Sequence, residues 1–322
     1  MALSTDEARR RLCALGDHVR DAVIGARGID MAAVDSHTAA DTIYGIDRVA
    51  DDALLDWFEA NWPGVEVVSE GLEEPVVVGT AAEWTVIVDT IDGTRGLMYD
   101  KRAAWCLAGA APHGGSLADI VASAMTELPT VKAGHADQLS GIRGGGVTAQ
   151  RIDLSTGHRE ALAIRPSSAT DLEHGFGGFA KFFVPGKVAL AALEAELFER
   201  LGYQDVFDDE YISSGGQIHE LLTGRDRFVA DLRPLAAPGA HACHPYDVCT
   251  AFLLEEAGGV VTDPWGAPLD AALDTTSPVA WVGYANEDLA ARIGPVLAEL
   301  VEDHFGGRQP SGRQFGGQQP GG

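Results

Sequence analysis

The stretch "WTVIVDTIDGTRG" (84–96) constrains this chain more than any other. It begins as a β-rich apolar run that has to be buried, and it breaks into Asp89 and Asp92, followed by Gly93 and Thr94. A strand that ends in Asp places a carboxylate at the carboxyl edge of its sheet, where ligands gather in α/β folds. Gly93 allows a tight turn, and Thr94 can open a helix whose N–H groups favour an anion. Carboxylates beside such a helix start can hold Mg²⁺ against a phosphate. The same residues also read as a polar turn, because Asp-Gly is a common turn dipeptide. Alone, the stretch does not separate the two readings.

The flanking pattern predicts an N-terminal half of helices on a largely antiparallel sheet. Ala8, Leu12, Leu15, Val19 and Val23 recur at helical spacing over 5–26, and a second helix spans about 47–60. Strand-like runs follow in "VEVVSE", "PVVVG", "AAWCLAGAAP" and "DIVASAMTEL", and the glycine-rich 141–147 and polar 153–160 read as hairpins or linkers. The second half alternates helix and strand: a helix over 187–202, "SSGGQIHELLTG" (213–224), strand "RFVADL", a helix over 247–259 and strand "VVTD". That alternation predicts α/β layering. We divide the chain into an α+β part (1–165), an α/β part (166–303) and a Gly/Gln/Pro-rich tail (304–322) expected to be disordered.

Two further acids fall at element edges. Glu70 ends the strand "VEVVSE", and Asp247 opens the apolar pattern "DVCTAFLLEEA", where it also reads as a helix cap. Oxygen donors from three segments, with no cysteine or histidine pattern, favour Mg²⁺ or Mn²⁺ over Zn²⁺. "HACH" (241–244) has neither zinc spacing nor a second half.

Taken in order, the strand with D-x-I-D-G-T, the preceding S-E and the later D-x-helix-E-A-G-G-V-V-T-D-x-x-G resemble the inositol monophosphatase family. That family belongs to the lithium-sensitive, Mg²⁺-dependent phosphatases that include fructose-1,6-bisphosphatase. The resemblance runs from about 40 to 300 and includes "SSGGQIHELLTGRDRF". It implies a layered α/β/α/β/α sandwich and a phosphomonoesterase using two or three Mg²⁺ ions, with Li⁺ as inhibitor. By resemblance, Asp89 bridges two ions, Glu70 and the Ile91 carbonyl complete the first site, and Asp92 and Asp247 complete the second. Glu70 and Thr94 orient and activate the attacking water, with Asp92 also in the catalytic set. The Gly93 and Thr94 N–H groups hold the phosphate. Relatives commonly form dimers, so a homodimer is expected on the same ground. Thr90 departs from the family's usual Pro, Gly71 from a second acid after the metal-binding Glu, and Tyr246 from a Trp; a common N-terminal Lys has no counterpart near "DSHTAADT".

The substrate is less legible. Three of the four lysines lie in "TRGLMYDKR" and "KFFVPGK", so Arg95 and Lys181 are candidates for a second anionic group. By resemblance, Asp231 accepts from a sugar hydroxyl and Gly216 and Gln217 line the alcohol side. Inositol phosphate, sugar bisphosphate, histidinol phosphate and 3′-phosphonucleotide all fit. The rivals are a non-catalytic metal-binding relative and a Mg²⁺-independent binder of phosphate esters.

Composition excludes other classes. Lys+Arg 23 against Asp+Glu 48 leaves a formal charge of −25, which argues against a nucleic-acid or anionic membrane surface. A small phosphorylated metabolite is still compatible, since a bound divalent cation reverses the sign locally. Scattered Cys13, Cys106, Cys243 and Cys249 fit a reducing compartment; with no apolar leader or membrane span in the sequence, a cytoplasmic protein is expected.

Overall fold

The computed structural model describes residues 3–27, 34–37, 42–72 and 74–306. The segment 307–322, most of the expected tail, lies outside them, as does part of "DSHTAADT". Helix α1 (Thr5–Gly25) starts behind Ser4, whose side chain accepts from the Glu7 N–H, and buries the predicted apolar stripe. A hairpin, β1 (Val34–His37) and β2 (Thr42–Tyr44), leads into α2 (Gly45–Asn61).

The first large sheet follows: β3 (Val65–Ser69), β4 (Val76–Val78), β5 (Trp84–Asp92), the short α3 (Thr94–Met98), β6 (Ala104–Pro112), β7 (Ala122–Leu128), β8 (His135–Ile142), β9 (Val147–Asp153) and β10 (Arg159–Ala161). Its order is β10-β9-β8-β7-β6-β5-β3-β4, antiparallel throughout except for the β3–β5 pair. The glycine-rich 141–147 is the β8–β9 turn region, and 153–160 joins β9 to β10.

The second part holds β11 (Gly175–Phe179), α4 (Lys187–Leu201), β12 (Val206–Phe207), α5 (Ser214–Leu222), β13 (Asp226–Asp231), α6 (Arg233–Ala236), α7 (Phe252–Glu256), β14 (Val260–Thr262), β15 (Trp281–Tyr284) and α8 (Glu287–Phe305). Its sheet order is β12-β11-β13-β15-β14. The helix expected over 247–259 is not continuous. A 3-10 turn (Pro245–Val248) and α7 replace it, separated at Cys249–Ala251. The break lies where β6 comes closest: a Cβ on Gly109 would stand 2.9 Å from the Cys249 carbonyl oxygen. Helix α8 also runs two residues into the segment expected to be disordered.

Strand parity sorts the side chains into layers. Val65, Val67, Val86 and Val88 face a core shared with α1 and α2. Val68, Ile87, Trp105 and Leu107 face the opposite way, into a core with Ile218 and Leu221 of α5 and Leu253 of α7. That core continues across β13 and β15 to Leu190, Leu193 and Leu197 of α4 and Leu289, Ile293 and Leu297 of α8. The order is therefore α1/α2, sheet, α5/α7, sheet, α4/α8: the five-layered sandwich. Among the described residues, no helix is long and apolar enough to cross a membrane.

Candidate metal centre

The carboxyl end of β5 carries the two acids, and a bulge decides where they point. Asp89 and Asp92 are three residues apart, and in a regular strand odd spacing sends side chains to opposite faces. Here Asp89 pairs with Leu107 and Asp92 with Trp105, so three steps on β5 oppose two on β6. The extra residue restores the parity. Thr90 and Ile91 both go to the α1/α2 side, where Ile91 joins that core and the Thr90 hydroxyl reaches Asp51 of α2. Asp89 and Asp92 both go to the middle layer. The strand does not end on Asp89 as the sequence suggested; it continues through the bulge to Asp92.

Asp92 is held by the start of α5. Its Oδ2 accepts from the Ser213 hydroxyl at 2.8 Å and the Gly215 N–H at 2.5 Å, and its Oδ1 from the Ser214 N–H at 3.3 Å. Gly93 adopts φ +94 and lies so near that an added Cβ would be 3.0 Å from Ser213 Cβ. Asp247 sits in the 3-10 turn, where its Oδ2 accepts from the His244 N–H at 2.6 Å. Asp89 is pinned through its Oδ1 by the Ile91 N–H at 3.0 Å. The result is a trio, Asp89, Asp92 and Asp247, with oxygens all within 4.8 Å of one another. Glu70 stands outside that trio, yet its charge still acts on Asp89.

The electrostatics of the trio are those of a site short of positive charge. Asp89 and Asp92 are 2% and 6% exposed. Burial, then the charges of Asp92, Glu70 and Asp247, push Asp89 well above the usual carboxylate range. Burial does the same for Asp247, followed by the charge of Asp92. Asp92 rises only to about 6, because the donors of α5 and the Arg233 guanidinium oppose the effect of burial. Three desolvated like charges are tolerable when a cation neutralises them, and an all-oxygen donor set suits a hard divalent ion. These residues fit Mg²⁺ or Mn²⁺.

Thr94 completes the turn by donating its hydroxyl to the Ile91 carbonyl at 2.8 Å. The resemblance makes that carbonyl an ion ligand, and here it also accepts the Thr94 proton.

The residues proposed to contact substrate take other partners. Lys181 is buried and pairs with Asp208 at 2.5 Å, Glu194 at 3.1 Å and Glu210 at 3.5 Å, so it is committed to an ion-pair network and not to a second anionic group. Asp231 is fully buried, and both its oxygens accept from Arg233, at 2.8 Å from Nε and 2.5 Å from Nη2. It is not disposed to accept from a sugar hydroxyl. Gly216 packs on the Tyr211 ring, 2.6 Å from where its Cβ would be. Gln217 is buried, donating to the Tyr211 carbonyl at 3.0 Å. The part of this loop that reaches the acids is Ser213–Gly215. Arg95 lies on α3, next to Thr94.

Two residues escaped the sequence reading. Arg233 is 8% exposed, stacks on Phe182 with its guanidinium carbon 4.5 Å from the ring centre, and acts electrostatically on both Asp92 and Asp247. Its only sequence signal was proximity to Asp231. Asp51 gave none, being one acid among several on an amphipathic helix.

With the geometry established, comparison with solved structures defines the class of fold. No family model and no curated protein sequence matches the chain. Fructose-1,6-bisphosphatase of Leishmania major in its holo form superposes with a TM-score of 0.70 at 12% identity, over 91% of this chain and 93% of that one. The extragenic suppressor protein SuhB of Bartonella henselae gives 0.67 at 17%, over 90% and 98%. An IMPase of Thermotoga maritima gives 0.59 at 18%, over 92% and 98%. The chain has the fold of the inositol monophosphatase and fructose-1,6-bisphosphatase superfamily.

Proposed function

We propose that the chain is a metal-dependent phosphomonoesterase acting on a small phosphorylated metabolite, an inositol or sugar phosphate. The observation that carries this reading is the trio of Asp89, Asp92 and Asp247, brought together from two distant segments, with Asp89 and Asp92 buried and Asp247 half-buried. Bound divalent ions lower the pKa of water toward neutrality and stabilise the charge of an in-line displacement. The chain's own residues hold and orient. Asp89, Asp92 and Asp247, with Glu70 beside them, are the ion ligands. A Thr94 hydroxyl that donates its proton to Ile91 can only accept from a water, and so orients that water's lone pair toward phosphorus. The N–H groups at Gly93 and Thr94 hold phosphate oxygens at the turn into α3.

Phosphate release from a panel of inositol, sugar, histidinol and nucleotide phosphates tests this, with Mg²⁺ or EDTA, for wild type and Asp92→Asn. Mg²⁺-dependent release, lost by several orders of magnitude in the variant, is expected for at least one compound. A folded wild type that binds Mg²⁺ and releases phosphate from none would favour the non-catalytic alternative.

A further inference from the structure

The parallel ladder between β3 and β5 runs from Val65–Trp84 to Ser69–Val88. It stops one residue short of Glu70 on one strand and Asp89 on the other. Just beyond the end of that ladder, Asp51 of α2 touches both strands. Its Oδ1 accepts from the Thr90 hydroxyl at 3.0 Å. Its Oδ2 lies over Gly71 so closely that a Cβ there would be 1.8 Å away. Thr90 and Gly71 are each the residue next after a proposed ligand, Asp89 and Glu70. The bulge explains the first contact, since it turns Thr90 toward α2 while Asp89 faces the middle layer. The absence of a side chain at 71 explains the second, since any larger residue would displace the carboxylate.

We propose that Asp51 is a positioning residue that sets the separation of Glu70 and Asp89 and thereby the affinity of the metal centre. The inference rests on the metal-centre reading above. Asp51 acts through Thr90 and Gly71: a carboxylate fixed on a helix clamps two strand ends where backbone pairing has ceased. Groups that orient metal ligands in this way typically contribute about 10–100-fold to affinity. The two departures at Thr90 and Gly71 are then one device, a donor and a gap that both serve Asp51.

The test is Mn²⁺ binding to the full chain, measured by electron paramagnetic resonance of the free ion, with metal-free unfolding temperatures as the control for folding. Asp51→Ala and Thr90→Val are each expected to weaken Mn²⁺ binding by about 10-fold or more. The double variant should be no weaker than Asp51→Ala alone, because that single change already removes the bond from Thr90. Asp51→Asn and Thr90→Ser keep acceptor and donor and should restore binding to near the wild-type level. Wild-type affinity in both Asp51→Ala and Thr90→Val overturns the inference. So does an Asp51→Asn variant as weak as Asp51→Ala, which would make the charge itself the function. If Asp51→Ala fails to fold, Thr90→Val against Thr90→Ser decides alone. A wild type that binds no Mn²⁺ overturns the metal centre itself, and is thereby distinguished from failure of the clamp.

Discussion

Gly93 and Asp231 show how single residues set the limits of the site. Gly93 holds φ +94 against Ser213, a conformation that costs an L-residue about 1–2 kcal/mol before any steric contact is counted. Gly93→Ala is expected to lower the unfolding temperature and to disturb Asp92, which Ser213 holds; an unchanged melt would show that the turn relaxes freely. Among the described residues, Asp231 accepts all the hydrogen bonds of the buried Arg233 guanidinium. Removing one member of such a pair leaves an uncompensated charge and costs about 3–5 kcal/mol. Asp231→Ala should therefore destabilise the protein by that order in denaturant titration. A residue used only to read substrate would instead raise KM and leave the midpoint where it was.

At the scale of elements, α5 is tied to the first sheet through a histidine. His219 is 4% exposed, with Nε2 3.7 Å from Asp137 of β8, Nδ1 3.8 Å from Glu220, and its ring centre 4.6 Å from that of the tilted Trp105 ring. Burial draws its pKa down, but Asp137 and Glu220 more than offset that, so the folded value lies above the ordinary one. The fold thus favours the charged ring. Its contribution is complete below the unfolded pKa and is lost as pH climbs through the raised folded value. The unfolding temperature of His219→Gln should trail wild type most in acid, with the gap closing as pH rises above the ordinary value near 6.5. A gap independent of pH would mean that the ring is neutral.

The elements themselves were largely legible, because burial leaves its period in the sequence: α1, β5, α5 and β13 stand where apolar spacing put them. What could not be read depended on neighbours distant in sequence. The β5 bulge is a matter of register against β6, so the sequence showed two acids but not that both face one way. The break at Cys249–Ala251 accompanies the close approach of β6 at Gly109. Asp231 and Lys181 were seen as acid and base, but their partners, Arg233 and the acids of α4 and the 208–210 loop, are set by tertiary packing. The trio Asp89, Asp92 and Asp247 was legible because each residue borders a strongly apolar run in the sequence, even though β5 continues past Asp89 and Asp247 lies in a 3-10 turn.

For the whole molecule, gathering three carboxylates, two of them buried, couples stability to the ion. A ligand that binds only the folded state stabilises it by RT ln(1 + [L]/Kd), about 2.7 kcal/mol at one hundred times Kd. Millimolar Mg²⁺ should raise the unfolding temperature over EDTA in wild type and lose that effect in Asp247→Asn. An equal rise in both would locate the stabilising ion elsewhere.

The same arrangement has a consequence for biosynthesis. Asp89 and Asp92 leave the ribosome well before the α5 donors at 213–215, and Asp247 comes later still. The nascent N-terminal sheet carries two acids with neither the groups that hold Asp92 nor the third carboxylate. Ion loading is therefore a late event, available only after about three-quarters of the chain has been synthesised and the second sheet has docked onto the first.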